Sequence, residues 1–196
     1  MRLRGYEAVV PSVLYVLSVP LGRILFLAIA AALAGCEPSL HDVVGHADLE
    51  KATVMLDRNP VLVNARNDLG KTPLHYAVVY GEPQFIGLLA ERGADINAAD
   101  GTGLTPLHVA AMMDRTDEAE RLIALKCNIE ARDRFGDTPL QLAAVHGCLR
   151  TIRLLAQAGA DIATTNNQGL GPLESARQNR RDAVVKYLEA QKNYDD

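Results

Sequence analysis

One short motif returns along this chain at a fixed interval. Thr72-Pro73-Leu74-His75 recurs as Thr105-Pro106-Leu107-His108, as Thr138-Pro139-Leu140-Gln141 and, more weakly, as Gly171-Pro172-Leu173-Glu174, each step being 33 residues. A period of this size marks supersecondary units too thin to bury their own apolar side, which must therefore stack on one another. Other positions keep the register without a gap. Gly70, Gly103, Gly136 and Gly169 precede the motif, Ala77, Ala110, Ala143 and Ala176 follow it, and Gly93-Ala94-Asp95-Ile96 matches Gly159-Ala160-Asp161-Ile162.

The residues of one unit spell out its structure. Threonine can cap a helix N-terminus and proline suits the first helical position, where no backbone donor is required, so a helix begins at each motif proline. Leu74, Ala77 and Val78 give that helix an inward face. After a turn near Gly81, the apolar positions Phe85, Ile86, Leu88 and Leu89 have the spacing of a second helix. Gly93 and Gly159 stand just past second helices, and the polar Asn67 to Lys71 stretch supplies a hairpin turn. Leu49 to Leu56 with Val63-Asn64-Ala65 lines up one period earlier with Glu82 to Leu89 and Ile96-Asn97-Ala98, so a degenerate unit opens near Ser39. Asp114 replaces the turn glycine, Lys126-Cys127-Asn128 replaces Gly-Ala-Asp, and Gly171 cannot cap as threonine does, so the third and last units are expected to be looser.

These motifs resemble the ankyrin repeat, with its Thr-Pro-Leu-His-x-Ala core, over about residues 39–192. The resemblance implies an all-α solenoid of about five stacked helix-turn-helix-hairpin units: a degenerate 39–66, then 67–99, 100–132, 133–165 and a C-terminal cap at 166–192, with a polar tail at 193–196. Arg180, Arg181, Lys186 and Glu189 suit a closing cap that faces water.

The N-terminal stretch is of another kind, since from Ala8 to Ala34 the only charge is Arg23. Arg23, the apolar run Ile24 to Leu33 and then Ala34-Gly35-Cys36 have the layout of a secretory signal, and the run is too short to span a bilayer comfortably. An uncleaved membrane helix over 9–34 is opposed by Pro11, Pro20 and Arg23. Leu33-Ala34-Gly35-Cys36 resembles the lipobox of bacterial lipoproteins. That implies removal of residues 1–35, lipidation of Cys36 as the new N-terminus, and a tether of residues 36–38; several acyl chains on one residue anchor stably. By the same resemblance Glu37 favours the outer membrane over the inner, so the mature chain is expected in the bacterial envelope, facing the periplasm.

Of 20 basic and 24 acidic residues, removing Arg2, Arg4, Arg23 and Glu7 leaves 17 basic and 23 acidic. That excess of acid argues against a nucleic-acid partner. His75 and His108 belong to the motif and are expected to bridge turns by hydrogen bonds, while His41, His46 and His146 stand singly and read as surface residues. No pair has the spacing of a zinc site or of a nucleophile with its base, and no phosphate loop or Gly-x-Ser-x-Gly elbow occurs. No enzyme, cofactor, metal or small-molecule substrate is therefore expected. The register puts Cys127 after a second helix and Cys148 between two helices, ends separated by roughly 15 Å, beyond the ~7 Å that a disulfide tolerates. Two free thiols are expected.

The family resemblance further implies that hairpin tips and the edges of first helices line a concave binding surface. At the tips this selects Leu69, Lys71, Leu104 and Phe135, and at the ends of first helices Tyr80, Met112, Met113 and His146. Aromatic and methionine side chains dominate interface hot spots, although Val79, Met112 and Val145 are equally placed to pack between helices. The expected function is a protein-binding module, held at the envelope by Cys36, that binds or inhibits a periplasmic partner as an accessory or immunity protein. The alternative is a structural envelope lipoprotein without a dedicated client.

Overall fold

In this computed structural model the described residues run from Pro38 to Asp195, with side chains through Lys192; the expected signal segment and Cys36 lie outside them. The described chain is all helical, without a strand. α1 (Leu40–Gly45) and α2 (Leu49–Arg58) form the first pair, closed by a tight turn of helix at Pro60–Asn64. α3 (Pro73–Tyr80) with α4 (Pro83–Glu91), α5 (Pro106–Met112) with α6 (Thr116–Ala124), α7 (Pro139–His146) with α8 (Leu149–Gln157), and α9 (Pro172–Gln178) with α10 (Asp182–Asp195) follow. The last helix thus continues into the stretch expected as a polar tail.

First helices stack in one layer, α1 on α3, α3 on α5, α5 on α7 and α7 on α9, while α4, α6, α8 and α10 stack in the second. The motif leucines Leu74, Leu107 and Leu140 are buried between the layers with Phe85, Ile86, Leu89, Leu122, Ile152 and Leu155. Each such side chain contributes roughly 1.5–3 kcal/mol on leaving water. Alanines at 77, 110, 143 and 176 are fully buried where first helices approach one another, which explains why nothing larger stands there.

The motif histidines supply the joints between units. Thr72 N–H donates to His75 Nδ1 at 3.1 Å, and Nε2 lies 3.0 Å from the carbonyl oxygen of Leu104 in the next unit. A carbonyl can only accept, so Nε2 carries the proton and Nδ1 accepts. His108 repeats the arrangement with Thr105 N–H and the carbonyl of Asp137, and Gln141 reproduces it with Oε1 accepting from Thr138 N–H and Nε2 donating to Leu170. His41 makes the same bond, 2.9 Å to the carbonyl of Lys71, and is buried. The reading of His41 as a surface residue is therefore corrected: Pro38-Ser39-Leu40-His41 is a further, degenerate copy of the motif, 34 rather than 33 residues ahead of the next. The extra residue is in α2, which has ten residues where α4 has nine.

The left-handed turn between paired helices does not always use glycine. Gly81 and Gly147 take the left-handed conformation there with φ of 72° and 81°, and Asp114 takes it with φ of 53°. A left-handed non-glycine residue costs roughly 1–2 kcal/mol. Asp114 offsets it by accepting hydrogen bonds from the Thr151 hydroxyl at 2.9 Å and the Thr151 N–H at 3.3 Å. The third unit, expected to be looser at this point, is tied there to the fourth by bonds a glycine could not make. At the hairpin tips that have a further tip stacked on them glycine is required: a Cβ on Gly103, at φ 86°, would stand 2.8 Å from the backbone nitrogen of Arg134 in the next unit.

Cys127 follows α6, Cys148 precedes α8, and both are free and buried, as the register requires. Burial pushes the Cys127 thiol up to about 11 and raises Cys148 in the same direction. Because the thiolate is the reactive form, both should resist thiol reagents near neutral pH in the folded protein. Under denaturing, non-reducing conditions two groups besides Cys36 should titrate; a count of none would show that an intramolecular bridge joins them and that the register is wrong.

Candidate protein interface

Each hairpin tip is shaped by one side chain. Asn67 Oδ1 accepts from the N–H groups of Leu69 and Lys71, and Asp100, Asp133 and Asn166 do the same for the residues two and four positions on. Such Asx turns fix the backbone without needing a partner strand. Successive tips are then joined by backbone hydrogen bonds, Gly101 N–H to Leu69 at 2.9 Å, Arg134 N–H to Thr102 at 3.3 Å and Asn167 N–H to Phe135 at 3.0 Å. Leu69, Thr102, Phe135 and Gln168 consequently form one column along the stack.

Leu69 is 64% exposed and Phe135 52%, so two of the four members present large apolar side chains to solvent. The Arg134 guanidinium lies over the Phe135 ring, 4.7 Å from its centre, which orders the ring without covering it from outside. A second column runs along the ends of first helices, with Tyr80 51% exposed, Met113 45% exposed and His146 exposed as well. Met112 is half-buried, as are Val79 and Val145. Lys71 and Leu104 are also half-buried, and their carbonyls receive the histidine joints. Five of the eight selected residues therefore face outward, and three are partly withdrawn into the scaffold.

Tip and helix belong to one face in the second unit. Asn67 Nδ2 donates to the Tyr76 hydroxyl at 2.9 Å, the Tyr76 and Tyr80 rings lie 6.0 Å apart, and His41 meets the Tyr76 ring edge-on at 5.2 Å. Tyr80 rests on Gly45, where an added Cβ would come within 2.9 Å of the ring. Sequence reasoning missed His41, Asn67 and Tyr76 as members of this aromatic floor; the Pro-Ser-Leu-His copy of the motif was the signal for the first. It also missed a set of latches beneath the second column. Arg115 donates to the carbonyl of Val79 at 3.0 Å, Cys148 to that of Met112 at 3.5 Å and Arg181 to that of Val145 at 2.9 Å, capping in each case the first helix of the preceding unit.

The electrostatics of the tips are restrained. Burial opposes ionisation of Asp100, but the Thr102 hydroxyl and the N–H groups of Thr102 and Leu104 outweigh it and hold the carboxyl below its usual range. Burial raises Asp137, with Asp133 adding to the effect and Asn166 opposing it. Both carboxylates are engaged in the scaffold, so the face offers contact area more than charge. Among the described residues no group of three or more His, Cys, Asp or Glu is placed to hold a metal ion. A cavity of about 320 Å³ lies where the fourth unit meets the last, lined by Ile162, Leu173 and Leu188 with Glu174 and Lys192.

A family model described as ankyrin repeats in three copies matches residues 98–166 and 119–196, and one described as ankyrin repeats in many copies matches residues 55–110. No curated protein matches the chain.

Proposed function

Because the chain belongs to the ankyrin-repeat family, whose stacked units serve as protein-binding modules, we propose that its two exposed columns hold a protein partner at the bacterial envelope. The observation that carries this reading is the exposure of Leu69, Phe135, Tyr80 and Met113 at corresponding positions of different units. Scattered apolar residues need no explanation, but Tyr80 and Met113 are successive members of one column, and Leu69 and Phe135 belong to the other with Thr102 between them. In this reading Cys36 is lipidated, the module faces the periplasm, and it binds or inhibits one protein there, as an accessory or an immunity protein. The anchor is supported by Leu33-Ala34-Gly35-Cys36 behind Arg23 and its apolar run, and a protein rather than nucleic-acid partner by the acidic balance of the remaining chain.

Phe135→Ala and Tyr80→Ala are each expected to weaken capture of the partner by at least about 1 kcal/mol, roughly five-fold, because aromatic anchors carry most of the energy of such surfaces. Phe135→Ala should leave the melting temperature nearly unchanged, since that ring is half exposed at a tip. Tyr80→Ala also removes contacts with Tyr76 and Gly45 and should lower it modestly, so capture is compared well below both melting temperatures. Affinity purification from membranes with the wild-type chain and both variants measures this. Undiminished capture by both variants rejects the binding face, and absence of any stoichiometric partner of the wild type favours a structural envelope protein.

A further inference from the structure

The first unit carries apolar residues at places where later units are covered or charged. Val61 holds the register position of Ala94, Cys127 and Ala160; the last two are buried, whereas Val61 is 80% exposed. Val54, on α2, holds the position of Gly87, Glu120, Arg153 and Lys186 and is exposed, as is Leu49 at the start of the same helix. Lys51, Val54 and Arg58 follow one another at helical spacing on the exposed side of α2. Asp57 is paired with Arg92 and Asp48 caps α2, so their charges are engaged, while Lys51 and Arg58 make no ion pair among the described residues. Glu50, beside Lys51, is exposed and makes no ion pair among the described residues either. The end of the stack thus combines bare apolar side chains with two cations against one carboxylate, a small positive excess that suits anionic lipid headgroups and the acyl region just beneath them.

Chain length points to the same occupant. Only Glu37 and Pro38 separate Cys36 from the Ser39 cap of α1, a reach of about 7 Å. An acylated Cys36 would therefore deliver lipid directly beside this end. No helix among the described residues is long and apolar enough to cross a membrane, so contact would be at the surface.

We propose that the first unit docks end-on against the bilayer through Leu49, Val54 and Val61 with Lys51 and Arg58, so that the stack stands off the membrane and the binding columns remain open. This rests on the reading of Cys36 as the anchor. The chain contains no tryptophan, so an introduced one is a unique reporter. Full-length protein isolated from membranes, carrying either Val61→Trp or Lys186→Trp, is reconstituted into phosphatidylethanolamine and phosphatidylglycerol vesicles with ordinary or brominated acyl chains. Lys186 is exposed on α10, four packing steps of roughly 8–10 Å from the first unit. Flotation reports the anchor and quenching reports the docked face. The expected result is flotation of both proteins, with loss of most tryptophan emission at position 61 in brominated vesicles and none at 186. Flotation without quenching at 61 overturns the docking and leaves the anchor standing. Emission from position 61 that is blue-shifted but unquenched overturns it in favour of a protein cover, such as a second copy. Failure to float removes the anchor and the docking together.

Discussion

Replacing Leu107 with alanine should destabilise the domain by about 2–5 kcal/mol, the range for emptying a fully buried leucine site. Leu107 is 1% exposed on α5, the central first helix, and α5 packs on α3, α6 and α7. In a stack that holds together only through neighbours, a cavity at this point weakens two interfaces at once. Leu173, its register equivalent in the last unit, is only half-buried, so Leu173→Ala should cost distinctly less. Urea unfolding of both variants measures the contrast. Equal losses, or a Leu107→Ala cost below about 1 kcal/mol, would contradict the stacked core as described.

Acid should weaken the joints between the early units. Burial pushes the His75 imidazole below its ordinary value; the Leu104 carbonyl and Asp100 oppose this, and Lys71 and Arg66 add to it. Burial likewise lowers His108, against the raising effect of the Asp137 carbonyl, Asp133, the Ala131 carbonyl and the Asp137 carboxylate. A histidine whose folded value is depressed is neutral in the native state and takes up its proton more readily when unfolded. Its contribution is therefore complete above about pH 6.5 and is lost as pH falls below that through the folded value. The structural reason is direct: a proton on Nδ1 would face the Thr72 or Thr105 N–H, which now donates to it. Asp100 and Asp161, whose carboxyls are lowered, act in a separate window below the ordinary carboxylate range. Melting temperature should accordingly drop between about pH 7 and pH 5 in the wild type. It should drop much less in His75→Gln/His108→Gln, because glutamine already makes both bonds at Gln141. A wild-type curve flat over that interval would refute the assignment.

Much of the scaffold could be read from one number, the 33-residue spacing, because nearly every joint of the stack falls on it. Helix starts at Pro73, Pro106, Pro139 and Pro172 follow from the motif, and so do the buried leucines and alanines. His41 escaped because a single extra residue in α2 moves it out of step, although its bond to Lys71 is the same as that of its later counterparts. The stitching at Asp114 escaped because local rules see only a missing glycine, while its compensation comes from Thr151, 37 residues away. The latches escaped for a different reason: Arg115, Cys148 and Arg181 keep the 33-residue spacing, but the thiol of Cys148 interrupts the likeness between the two guanidinium groups, and an arginine in a turn reads as an ordinary surface residue. For the proposed binding face, the register picks out residues that recur in columns but does not tell which of them turn outward, since Met112 and Met113 are adjacent in sequence and differ only by helical rotation.

His75, His108 and Gln141 each reach a backbone carbonyl 29 residues ahead, and a carbonyl is available whatever amino acid bears it. A gene that gained or lost one whole copy of the unit would therefore still offer every imidazole or amide an acceptor at the new junction. The chain can grow or shrink by such modules while its outward columns change freely, which is how a scaffold of this kind acquires new partners without inventing a new fold.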